Sequence, residues 1–147
     1  MKNIGDFIPI IGPIVNLIYY YMTSKPIYLI IVFLLLIEIH IISHLYKYIF
    51  YKLGLGSLRP RSFDKKMSDD PLRYNGMPSG HTSNVTLFAL LYWYTNKSLL
   101  FIPLIPIMMA QRVITGAHTL LQTIVGLIVG IIEYLLFVYI YQNIVKQ

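Results

Sequence analysis

Three short polar strings hold the residue types in this chain that can do chemistry: Lys52-x6-Arg59-Pro60, Pro78-Ser79-Gly80-His81 and Arg112-x5-His118. Together they supply three cations and two imidazoles. A phosphate monoester carries nearly two negative charges at neutral pH. It spreads them over its non-bridging oxygens as it reacts, so fixed cations and aimed N–H groups stabilise both binding and transition state. Lys52 and Arg59 flank Gly54-Leu55-Gly56, a pliable stretch that lets both side chains converge. Arg112 adds a two-pronged contact. Ser79 is a residue type that caps helix N-termini, whose amides bind anions, and Gly80 lets the backbone approach an oxyanion closely. Of the two histidines, one can attack phosphorus and become a phosphohistidine. The other can protonate the leaving oxygen and then activate water.

The elements around these strings are of membrane grade. Of the 147 residues 56% are hydrophobic and only 12% are charged, about half the charged share of a soluble protein. Nine of the eighteen Asp, Glu, Lys and Arg residues lie between Lys52 and Arg73. That segregation predicts one domain over 1–147, an all-α integral membrane bundle with a single polar loop at 51–78. The expected spans are Phe7–Met22, Ile27–Phe50, Thr82–Thr95, Leu99–Thr115 and Ala117–Ile144, five in all. The first is short for a hydrocarbon core of about 30 Å, and it lacks the small-residue cleavage site of a signal peptide. Pro103 and Pro106 are expected to kink the fourth. Gly126-x3-Gly130 suits close helix packing within the bundle, and the thirteen tyrosines sit near span ends, as aromatic belts do.

Counting spans tests the polar strings as one site. Two spans separate the 51–78 loop from the turn at Thr115-Gly116, so Lys52, Arg59, His81, Arg112 and His118 share one membrane face. Nine of the twelve Lys and Arg fall on that face, which the positive-inside rule would make cytoplasmic, although three of the nine belong to the phosphate cluster itself. Lys65, Lys66 and Arg73 read as headgroup anchors. The net charge of +6 fits span anchoring and headgroup attraction, not nucleic-acid binding. With no cysteine, disulfides and thiolate metal sites are excluded. Glu38, His40 and His44 lie within the second span, where ionisable groups are functional suspects.

In these strings the chain resembles the type 2 phosphatidic acid phosphatase superfamily, which includes lipid phosphate phosphatases and polyprenyl pyrophosphate phosphatases. The family motifs are Lys-x6-Arg-Pro, Pro-Ser-Gly-His and Ser-Arg-x5-His-x3-Asp. The first two are present in full as Lys52–Pro60 and Pro78–His81. The resemblance implies His118 as nucleophile and His81 as general acid. It implies Lys52, Arg59, Ser79, Gly80 and Arg112 as the phosphate cradle, with no metal or other cofactor. It also implies a phosphorylated lipid as substrate and a multi-pass membrane location; oligomeric state does not follow. The third motif departs twice, with Gln111 for Ser and Gln122 for the Asp that would partner the nucleophile. Gln122 can accept the ring N–H but brings no charge, and an acid from the loop (Asp64, Asp69 or Asp70) is an alternative partner. The expected activity is hydrolysis of a lipid phosphate or isoprenoid pyrophosphate through a phosphohistidine. The alternative is a degenerate member that binds phosphorylated headgroups or serves as a structural membrane protein.

Overall fold

The computed structural model describes residues 7–57, 59–60 and 75–145. Five helical segments account for most of them. Helix α1 is Ile8–Thr23 and α2 is Pro26–Lys52. Then come α3, Gly80–Asn96, α4, Leu104–Ile114, and α5, Leu120–Ile140, which runs on into a π turn at Tyr141–Val145. The bundle is all-helical, and each segment falls where an apolar run predicts one. Among the described residues, Pro26–Lys52 and Leu120–Asn143 are the two helices long and apolar enough to cross a bilayer. Outward Ile10, Leu17, Phe33, Ile41, Leu135 and Leu136 are exposed, an apolar outer surface too large for a soluble monomer.

Three expectations change in detail. The fourth helix begins at Leu104 and not at Leu99. Residues 99–105 are wound in three-residue turns, with Ile102 N–H bonded to Leu99 O and Leu104 N–H to Phe101 O. Pro103 is therefore the residue before the helix and Pro106 lies in its first turn, where no intrahelical N–H partner is needed. The prolines set the start of α4 instead of kinking it. The last helix begins at Leu120 and not at Ala117, because Thr119 caps it: Thr119 Oγ accepts from Gln122 N–H, and Gln122 Oε1 accepts from Thr119 N–H. His118 consequently precedes the helix. The second helix is α-helical at both ends with a π turn at Glu38–Ile42 between them, an extra residue that resets which side chains face inward.

Helices α3 and α5 make the most extensive contact, followed by α1 and α2. The first depends on Gly126-x3-Gly130. A Cβ at Gly126 would lie 2.6 Å from Ser79 O, and one at Gly130 2.5 Å from Ser83 O. Only glycine lets the helices approach so far, and the pair works inside the bundle. Ile31, Leu35, Leu87, Phe88, Leu91 and Tyr92 form the apolar core. In this up-and-down order the end of α2, the start of α3, the end of α4 and the start of α5 meet at one end of the molecule. That shared end is what the span count requires.

Candidate active site

His118 reaches this end by the way α4 stops. Gly116 takes a φ of +66°, a left-handed conformation that suits glycine. The chain turns back, and the amides of Ala117 and His118 both donate to Arg112 O, at 3.1 and 3.0 Å. The Arg-x5-His spacing is thus a helix end plus one reversing turn, which fixes His118 beside Arg112.

The imidazole is 2% exposed. Its Nδ1 lies 3.0 Å from Gly76 O and 3.1 Å from Gln122 Oε1. Both partners are acceptors, so Nδ1 carries the proton and the lone pair is on Nε2. The orientation of Gln122 is fixed independently. Its Nε2 donates to Ser57 O (3.2 Å) and Ser57 Oγ (2.8 Å), while Oε1 accepts from Thr119 N–H at 3.0 Å. A Cβ on Gly76 would fall 2.5 Å from this amide, so Gly76 is glycine to admit it. Gln122 is buried and joins the histidine to the segment that follows Lys52.

Burial is the largest cause holding the His118 pKa down, at about 3 against an ordinary 6.5. The charges of Arg59, Arg112 and Lys47 follow in that order, and the hydrogen bond to Gln122 acts in the opposite sense. Three cations therefore converge on a neutral imidazole. Among the described residues the carboxylates are Glu38 and Glu133, both buried in the bundle interior. Glu38 accepts from Ser83 Oγ at 2.6 Å. Asp64, Asp69 and Asp70, and likewise Lys65, Lys66 and Arg73, lie outside the described residues.

A second buried side chain holds the loop. Asn75 donates to Lys47 O (2.8 Å) and its Oδ1 accepts from Ser57 N–H (3.2 Å) and Met77 N–H (3.0 Å). Ser79 N–H donates to Gln122 O at 3.1 Å, so the Pro78–His81 string is tied to α5. Ser79 occupies the N-cap position of α3, as its type suggests. Its hydroxyl, however, accepts from Thr82 Oγ at 3.0 Å, and no side-chain cap is made. Gly80 opens the helix and lies against Ser43, where a Cβ would be 2.9 Å from that residue's own. His81 is half-buried in the first turn and lines a cavity with Lys47.

Arg59, Arg112, His118 and Gln122 are thus brought together, with Ser79 hydrogen-bonded to the same network. Lys52 stands apart from it. Its side chain is exposed, with the ammonium 5.6 Å from the centre of the Tyr48 ring. The lysine whose charge reaches His118 is Lys47, which belongs to none of the three strings. Gln122's cap was legible as Thr119-x-x-Gln122, a capping-box spacing. Nothing in the sequence marks Asn75.

A family model described as the PAP2 superfamily matches residues 26–146. The chain belongs to the PAP2 superfamily. Comparison with curated proteins and with solved structures returns no match. PAP2 proteins are membrane-embedded phosphatases, so this family accounts for both the apolar outer surface and the cluster of cations. The match takes in every string named above and leaves out α1. In a PAP2 protein with Gln122 in the third motif, the nucleophile candidate is oriented by a neutral amide and a backbone carbonyl. That pair fixes the tautomer as firmly as a carboxylate would, but supplies no charge as the imidazole turns cationic.

Proposed function

We propose that this protein is a multi-pass membrane phosphatase that removes phosphate from a phosphorylated lipid, a lipid phosphate or an isoprenoid pyrophosphate, through a phosphohistidine on His118. One observation carries the reading: a buried His118, neutral at pH 7, holds its proton on Nδ1 between two carbonyl oxygens while three cations surround it. A nucleophile needs the lone pair on Nε2, and this arrangement keeps it there. Cations gathered around a neutral nucleophile suit an anionic substrate.

Arg59 and Arg112, with the Gly80 amide at the start of α3, bind the phosphoryl oxygens. His118 Nε2 attacks phosphorus, and the electron pair of the breaking P–O bond goes to the leaving oxygen, which His81 protonates. Water then gives up a proton to His81 and attacks the phosphohistidine, and the pair of the N–P bond returns to Nε2. In the first step the Nδ1–H bonds to Gly76 O and Gln122 Oε1 strengthen as the ring becomes cationic.

The test is phosphate release by the purified protein from phosphatidic acid and from a prenyl diphosphate, with trapping of an acid-labile, base-stable phosphoprotein. Both signals are expected in the wild type and neither in His118→Ala. Turnover undiminished in His118→Ala would sink the mechanism. Tight anion binding with no release from either substrate would favour the headgroup-binding alternative.

A further inference from the structure

A cavity of about 340 Å³ adjoins His81. Its lining is mixed: His40, His44 and Lys47 on α2 and His81 on α3 are polar, and Pro9 and Pro13 on α1 and Leu36 and Ile39 on α2 are apolar. His40, Ser43, His44 and Lys47 follow one another at i, i+3, i+4 and i+7 along α2 and face one space. Lys47 is the link to the cluster, since it lines the cavity while its charge reaches His118. The cavity therefore borders the candidate site at Lys47 and His81 and is lined by both basic and apolar side chains.

From this arrangement we propose that the cavity is the leaving-group subsite and that Lys47, aided by His44 and His40, fits it to an anionic leaving group, so that the preferred substrate is a lipid diphosphate. This rests on the phosphatase reading above and narrows its substrate. The terminal phosphoryl group sits among Arg59, Arg112 and His118. The inner phosphate sits at Lys47, and the apolar chain lies along Pro9, Pro13, Leu36 and Ile39.

The chemistry of the leaving oxygen explains why a lysine belongs there. When His118 Nε2 bonds to the terminal phosphorus, the bridging P–O bond breaks and its electron pair remains on the bridging oxygen. From a simple monoester that oxygen is an alkoxide, about as basic as hydroxide, whose conjugate acid has a pKa of about 15.7. It cannot leave without a proton. From a diphosphate it belongs to a lipid monophosphate with a second pKa of about 6, so at pH 7 it leaves as an anion. What that anion requires is a fixed cation. A simple monoester has no second phosphate to place in the cavity beside Lys47.

The decisive measurement compares farnesyl diphosphate with farnesyl monophosphate, identical in tail, as kcat/KM for phosphate release by the full-length protein. The wild type should favour the diphosphate at least tenfold. Lys47→Met should lower that ratio at least tenfold, and Lys47→Arg should restore most of it. Because both substrates are assayed on one preparation, partial misfolding cancels from the ratio. A ratio unchanged in Lys47→Met, or a wild type that prefers the monophosphate, overturns the proposal and leaves the phosphatase reading standing. Release from neither substrate overturns both.

Discussion

At one end of the bundle Tyr19, Tyr28, Tyr92, Asn96 and Phe101 satisfy one another. At the other, Arg59, Arg112 and Lys47 are held around His118 by ties made elsewhere. The aromatic end has Tyr19 Oη and Tyr92 Oη 2.9 Å apart, Tyr28 Oη donating to Asn96 Oδ1 at 2.9 Å, and Tyr92 and Phe101 rings edge to face at 4.6 Å. Every contact there is attractive. The site end buries an imidazole and gathers like charge around it, and burial first, the cations second, depress its pKa to about 3. It keeps its shape only because Asn75, Gln122 and the glycines of α5 fix the backbone around it. Such an end is stable with an anion present and stressed without one. The difference separates what holds the fold from what the fold is holding.

The largest effect should come from the α3–α5 seam on which the site end depends. Gly126→Leu would place its Cβ 2.6 Å from Ser79 O and add three further carbons. Overpacking of this kind costs about 1–3 kcal/mol and more where backbone is struck. The helices must separate where Ser79 N–H meets Gln122 O, so phosphate release and anion binding should be lost together with several degrees of thermal stability. Denaturant unfolding and a phosphate-binding titration check this. Retained binding would mean that the seam does not set the site.

Next comes pH. A histidine whose folded pKa is depressed to about 3 leaves the unfolded chain holding the extra proton between about 3 and 6.5. Its contribution to stability is full above 6.5 and is lost as pH falls through that window, with a slope of about 1.4 kcal/mol per pH unit at most. The stability difference between wild type and His118→Asn isolates this slope from other titrating groups. Saturating vanadate should flatten it, because the anion opposes the cations. An identical pH dependence in the two proteins would show that neither burial nor the nearby cations depress the His118 pKa.

How much of this contrast was legible beforehand depends on the range of the interaction. The five apolar runs, the Gly126-x3-Gly130 seam and the common face of the three strings follow from local pattern and a count of spans. Lys47 does not, because only the packing of α2 on α3 decides which stripe of α2 faces the site. Asn75 was equally hidden, since its partners at Lys47 and Ser57 lie 28 and 18 residues away. Pro103 and Pro106 misled for a different reason. A proline in an apolar run reads as a kink unless the turns that precede it are known. Gln122 was found by its motif position but understood only in part: its acceptor was expected, its two bonds to Ser57 were not.

Those bonds make Gln122→Asp a sharper probe than the motif suggests. Aspartate would keep an acceptor for His118 and add charge, raising the imidazole pKa. Being one carbon shorter, and without a donor, it would lose both bonds to Ser57, each worth about 1 kcal/mol, and set a carboxylate towards a carbonyl. The expected result is an upward shift of the acid limb of the rate profile, together with a KM about tenfold higher as the segment carrying Arg59 loosens. A rise in kcat at unchanged KM would show instead that the amide does no more than stand in for an acid.

The smallest effect should belong to the aromatic end, and its smallness is the point. Tyr28→Phe removes the hydroxyl that donates to Asn96 but leaves the ring against Tyr19, 5.4 Å between centres. One neutral hydrogen bond contributes about 1 kcal/mol net, so denaturant stability should fall by roughly that amount. No charge moves, and the hydroxyl lies at the start of α2 while the site gathers at its far end. Anion affinity, the pH dependence of stability and phosphate release should therefore match the wild type within twofold. A larger change at the site would mean that α2 transmits displacement along its length through the π turn at Glu38–Ile42, and that the two ends are one mechanical unit.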